Sequence, residues 1–229
     1  MKISDTGIIL SITKHQEKDG IVAIFTQKHG IYKGFVKNIV KNRGKFEIGN
    51  KVEIDWYARL PEHLGRFSNC DAIKHNASLF FDEPMKLRIL QCVCELFSNA
   101  IAEREPHPEL YHVLDEFLSH MTACMADKLL HEYIILELSV LSHIGFGLEL
   151  NECVATGSAD DLIYVSPKSG RAVSEMAGEP YKDRLLILPK FLLDAKHSAD
   201  NVQIIDGLNL TKYFLEQHLT LPMIREQLV

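Results

Sequence analysis

The period of the apolar residues changes near His75, and no other feature constrains this chain's fold as tightly. Before it, β-branched and aromatic residues cluster in short runs around Ile8 to Thr13, Ile21 to Thr26, Ile31 to Val36 and Val52 to Arg59. Turn-prone strings separate them: Lys18-Asp19-Gly20, Lys28-His29-Gly30 and Arg43-Gly44-Lys45. The fourth run alternates strictly, with Val52, Ile54, Trp56 and Ala58 on one face and Lys51, Glu53, Asp55, Tyr57 and Arg59 on the other. Trp56 therefore belongs to a core, and Tyr57 and Arg59 to a surface. In the third run Ile31, Lys33, Phe35 and Lys37 share a face, so two lysines and an aromatic project together. Spacing of this kind suits a small barrel or sandwich.

Beyond His75 the apolar steps lengthen to three and four. Pro84, behind Asp82 or Glu83 as a cap, opens a helix carrying Leu87, Leu90, Val93, Cys94, Phe97 and Ile101. After Pro106 and Pro108 a second stripe holds Leu110, Val113, Leu114, Phe117, Leu118 and Met121. A third helix runs from about Asp127 to His143 on a spine of Leu130, Ile134, Leu138 and Leu141, and Gly145 or Gly147 stops it. The segment 150–189 is rich in Gly, Ser and Asp, with one strand-like run at Leu162 to Val165, which predicts turns and a hairpin. Asn209 to Leu219 reads as a last helix, with Pro222 beyond its end. The fold class is α+β: a β domain over 1–78, then a mainly helical domain over 79–229 that includes the irregular insertion at 150–189.

Charge is partitioned along the chain. Residues 1–75 hold thirteen Lys and Arg against eight Asp and Glu, a net of +5, while the remainder carries twelve against twenty-three, a net of −11. A net charge of −6 argues against a polyanion partner for the whole, but a basic region can still attract one. The five cysteines, at positions 70, 92, 94, 124 and 153, are odd in number and scattered, so they read as reduced thiols of a cytoplasmic protein and not as a disulfide framework. Gly7 to Leu10 is too short for a signal-peptide core, and charges break the stretch Leu129 to Leu150, so neither secretion nor a membrane partner is expected.

Constellations for catalysis are weak. Gly145-Phe146-Gly147 lacks a third glycine at the dinucleotide-binding offset, and there is no Gly-x4-Gly-Lys-Ser/Thr string. His131-Glu132 has no second histidine at zinc-protease spacing. On a helix Cys92 and Cys94 would point about 200° apart, which favours packing over a redox pair. His107, His112 and His120 do not stack on one helical face.

The stronger chemistry follows the third strand. Lys33, Lys37, Lys41, Arg43 and Lys45 occur without an acid until Glu47, interleaved with Phe35 and Phe46. Basic groups that track a phosphate backbone, beside aromatic faces on which bases stack, suit a single-strand-binding surface. A solvated lysine-rich loop protecting a strand edge would have the same composition. Tyr57, Arg59 and Arg66, around the turn at Pro61 to Gly65, extend the candidate patch.

Ordered motifs then identify a resemblance. Glu17, Phe25-Thr26, Gly30, the basic run Lys37 to Lys45, Trp56-Tyr57-Ala58-Arg59-Leu60 and Leu64-Gly65 resemble the N-terminal half of the bacterial recombination mediator RecO family. Ile144 to Leu150, Cys153-Val154-Ala155-Thr156-Gly157, Tyr164 to Ser174 and Leu185 to Leu192 resemble its second half in the same order. The resemblance implies a non-enzymatic DNA-repair protein with an N-terminal OB-fold barrel and a helical domain. It also implies binding of single- and double-stranded DNA, annealing of complementary strands, capture of the C-terminal tail of single-strand-binding protein, and, with RecR, help in loading the RecA recombinase. Many members hold zinc on two Cys-x-x-Cys pairs. Here the first pair keeps only Cys153, with Thr156 in the second position, and no cysteine lies between Ser166 and Ser174, so no metal or other cofactor is expected. Two rival readings stay open: an OB-fold RNA-binding protein, and a protein-interaction scaffold whose acidic helical domain is the active part.

Overall fold

A computed structural model describes residues 1–42, 44–60, 62–194, 196–220 and 223–228. Five strands come first: β1 (Lys2–His15), β2 (Asp19–Thr26), β3 (Gly30–Val36), β4 (Lys51–Tyr57) and β5 (Gly65–Lys74). Their order is β1-β2-β3-β5-β4, and β4 pairs back onto β1, so the sheet closes on itself. The fold class is α+β. Ile9, Val22, Ile24, Val52 and Ile54 fill the interior at one end, and Ile3, Tyr32, Trp56 and Ala58 at the other.

Closure depends on a short parallel β3–β5 contact in which Gly34 faces Gly65. Both glycines lie against Trp56, and a Cβ on Gly65 would stand 2.0 Å from the indole. The indole NH donates to the Lys33 carbonyl at 2.9 Å, so Trp56 both fills and fastens the seam. The sequence does not reveal β5 as a strand. A register shift between Asp55 and Trp56 breaks its alternation, so the inward residues Phe67 and Cys70 are three apart instead of two.

The helices are α1 (Asn76–Leu79), α2 (Pro84–Ala100), α3 (Pro108–His120), α4 (Ala126–His143), α5 (Glu175–Gly178) and α6 (Asn201–Glu216). Strands β6 (Leu162–Val165), β7 (Ala172–Ser174) and β8 (Leu186–Ile187) form a small antiparallel sheet in the order β7-β6-β8. That sheet lies where the sequence predicts a hairpin.

Two compact units result, one of 1–126 with 222–228 and one of 127–221 with residue 229. In the first, Phe25 of β2 meets Phe97 of α2 and Tyr111 of α3 at ring distances of 6.1 and 5.6 Å. The first two long helices therefore group with the barrel. In the second, the expected spine of α4 holds in part: Ile134 and Leu141 are buried, Leu130 and Leu138 are only half-buried, and Tyr133, Glu137 and Val140 are buried beside them. The carboxylate of Glu137 is covered because the Thr211 hydroxyl of α6 donates to it, a partner that local periodicity cannot reveal. Helix α6 also starts eight residues before the predicted Asn209, where the Asp200 side chain accepts from the Gln203 amide at 2.8 Å. Pro222 lies outside the described residues.

Candidate nucleic-acid interface

Cross-strand pairing sets the geometry of the outer barrel surface. Lys2 of β1 pairs with Tyr57 of β4, Tyr57 with Arg66 of β5, and Arg66 with Phe35 of β3. Paired residues point to the same side of a sheet, so Lys2, Tyr57, Arg66 and Phe35 form one row across four strands. Lys2, Tyr57 and Arg66 are exposed and Phe35 is half-buried. The Arg66 guanidinium lies 5.7 Å from the centre of the Tyr57 ring. With strands spaced 4.7–4.9 Å, the two aromatics stand about 10 Å apart with the guanidinium between them. His15 meets the edge of Phe35 at 5.8 Å and limits its freedom.

Lys33 on β3 and Lys37, in the turn just past its end, flank Phe35, and both are exposed. Their environments differ. The Lys33 ammonium is paired with Glu103 at 2.7 Å, whereas Lys37, among the described residues, has no ion-pair partner. Arg59 is exposed just past the end of β4. Lys41 is exposed on a 3-10 turn over Ile39–Asn42. Lys45 pairs with Asp71 at 3.0 Å, a contact that holds the Asp71 carboxyl below the usual carboxylate range. Asp71 follows Arg66 by five positions on β5, about 16 Å of strand. The aromatic row and the Lys45 end are thus two separate places, and at the latter Asp71 lies opposite Glu53. Arg43 and Pro61 lie outside the described residues.

Phe46, by contrast, is 7% exposed and belongs to the barrel core, so it offers no face to a base. The reading of Phe46 as part of the surface patch is corrected: after the 3-10 segment its ring joins the buried cluster that also holds Ile39.

Two contributors escape a reading by strand periodicity. Lys2 joins the row because β1 begins six residues before the predicted Ile8. Arg104, in the loop between α2 and α3, has a left-handed backbone (φ 63°) and places its guanidinium 5.7 Å from the Tyr32 ring and 5.5 Å from the Trp56 ring. It donates to the His63 carbonyl at 3.1 Å, tying the β4–β5 turn to the helical layer. A lone arginine between helices carries no local signal of such a role.

In the second unit Cys153 is the one thiol this chain keeps of the two Cys-x-x-Cys pairs that the resemblance implies. Burial pushes its thiol up, but hydrogen bonds from the Ser174 and Thr156 side chains and the Ser174 and Ala155 backbone outweigh this and bring it down to about 6. The Ser174 amide donates to its sulfur at 3.2 Å. One thiol among hydroxyls is a poor tetrahedral zinc set, and among the described residues no three His, Cys, Asp or Glu side chains converge to hold a metal. Cys92 and Cys94 are both fully buried in α2, as packing requires. No helix among the described residues is long and apolar enough to cross a membrane.

Two family models match this chain: "Recombination protein O N terminal" over residues 1–76 and "Recombination protein O C terminal" over residues 83–225. It is 40% identical over 225 residues to the DNA repair protein RecO of Bartonella tribocorum, a match covering 97% of this chain and 89% of that one. Against RecO of Sinorhizobium medicae the identity is 38%, over 97% and 88% of the two chains. Against that of Rickettsia bellii it is 36%, over 96% and 90%. With both halves matched in order and the relatives covered nearly end to end, the chain belongs to the recombination protein O family.

Proposed function

We propose that this chain is a non-enzymatic recombination mediator that binds single- and double-stranded DNA, holds a single strand along Phe35, Arg66 and Tyr57, and anneals it to its complement. With RecR it helps load RecA, and it engages the C-terminal tail of single-strand-binding protein. Family membership supports the repair role, and the aromatic–cation–aromatic row supports the strand site. Stacking on an aromatic face is sequence-tolerant, as a protein that meets arbitrary sequence requires. Lys37 and Arg59 supply positive charge beside the row, Lys41 and Lys45 supply it farther along, and Arg43 belongs to the same basic run of sequence. Double-stranded DNA meets the same lysines and arginines through its phosphates alone. Binding neutralises phosphates and releases counterions, so no bond need form or break.

Stacking and phosphate contact separate experimentally. Arg66→Ala should weaken binding of a single-stranded oligonucleotide and reduce the log–log salt slope by about 0.7, the loss of one phosphate contact. Tyr57→Ala should cost about 1–3 kcal/mol of affinity with the slope unchanged. Fluorescence anisotropy across a salt series reads both. Failure of the unaltered protein to bind at low salt, or unchanged binding by both variants, would remove the assignment.

A further inference from the structure

The unit of 127–221 carries eight Lys and Arg against fourteen Asp and Glu. In this acidic unit the walls of one pocket contain no carboxylate. Its volume is about 390 Å³, and Phe146, Lys168, Ser169, Gln217 and His218 line it together with glycines 145, 147 and 170. The Phe146 ring and the His218 imidazole are stacked, with centroids 3.3 Å apart and planes 10° from parallel. Phe146 remains 45% exposed, so this stack is open to solvent and not part of the core. Across the pocket, amides of Ser169 and Gly170 donate to the Ser166 carbonyl at 3.3 and 2.9 Å, which fixes the turn that carries Lys168. The neighbouring cation is already engaged, since Arg171 contacts Glu149 at 2.8 Å and Glu152 at 2.9 Å. Lys168 is exposed and, among the described residues, forms no ion pair. A Cβ on Gly145 would meet nothing within 4 Å, so that wall is open.

A flat π-surface with an unpaired ammonium beside it, in a pocket its unit has kept clear of acids, matches a base attached to a phosphate. The volume falls in the range of small-ligand sites. We propose that this pocket is a second single-strand site, holding one nucleotide with its base on the Phe146–His218 stack and its phosphate at Lys168. The inference rests on the reading of the chain as a single-strand-binding protein. It supplies what annealing needs, a place for the complementary strand apart from the barrel row.

The test is a titration of the full chain with fluorescein-labelled oligothymidine of eight residues at low salt, with protein well above the dissociation constant. The unaltered protein should bind two oligonucleotides per chain. Lys168→Ala/His218→Ala should bind one, as should Arg66→Ala/Tyr57→Ala, and the two variants should melt like the parent because all four side chains are exposed. Phe146→Ala should weaken the second event about tenfold or more, the value of one lost stack. The second site is overturned if the Lys168/His218 variant still takes two, if the parent takes only one, or if an abasic octamer fills the second site as well as oligothymidine. Absence of any binding by the parent would instead overturn the single-strand reading itself.

Discussion

Lys33 illustrates how a side chain can point the right way and still be partly spent. Alternation places it outward beside Phe35, yet Glu103 neutralises it at 2.7 Å, with 45% and 48% of the two side chains exposed. A pair so exposed contributes on the order of 0–1 kcal/mol to stability, so its larger effect is on the field met by a polyanion. Glu103→Gln should leave the melting temperature nearly unchanged, tighten single-strand binding and steepen the log–log salt slope by about 0.7, as Lys33 becomes available to a phosphate. An unchanged slope would mean that Lys33 never reaches the nucleic acid. At this scale the sequence was legible wherever one face of a strand meets the core: Trp56 is fully buried and Tyr57 is 43% exposed, as their alternation requires. It misled at Phe46, because a turn follows no period and composition alone cannot tell an aromatic folded inward from one left outside.

Among the elements, β5 and the seam it makes with β3 carry the site. Phe35 and Tyr57 are brought to either side of Arg66 only because β5 inserts between β3 and β4, and that insertion requires Gly34 and Gly65 to pass the Trp56 indole. A Cβ at Gly65 would meet the rigid indole at 2.0 Å. Gly65→Ala should therefore destabilise the protein by about 1–3 kcal/mol, the usual cost of overpacking, and weaken single-strand binding even under conditions where it remains folded. Urea unfolding followed by tryptophan fluorescence reports this directly, since Trp56 is the single tryptophan. A parent-like midpoint would show that the seam relaxes without cost. The helices were legible as elements because Pro84 and Pro108 mark the starts of α2 and α3. The buried face of α4 was legible only in part: Ile134 and Leu141 follow the apolar spacing, but the buried Glu137 accepts from Thr211, 74 residues along the chain, a partner no local period reveals.

For the whole molecule, folding redistributes the charge that the chain lays out in order. The first 75 residues carry +5, but the compact unit of 1–126 with 222–228 holds seventeen Lys and Arg against seventeen Asp and Glu. Acids of the helical segments, Glu103 and Asp115 among them, pair with barrel lysines 33 and 51. Attraction of a polyanion must then come from one face and not from net charge. The same grouping bears on dissection. A fragment of 1–78 leaves Phe25 without Phe97 and Tyr111 and should lose its cooperative thermal transition, whereas a fragment of 1–126 should keep one; calorimetry on the two decides. The sequence by itself determined the order of strands then helices, which side chains of each regular strand face outward, and the family, because alternation, helical spacing and ordered motifs are local or linear properties. Only the tertiary structure decided that Arg66 stands between two aromatics, that Lys33 and Lys45 are paired with acids, and that Phe146, Lys168 and His218 meet around one pocket, because each depends on segments far apart in the chain whose meeting is set by strand register and packing.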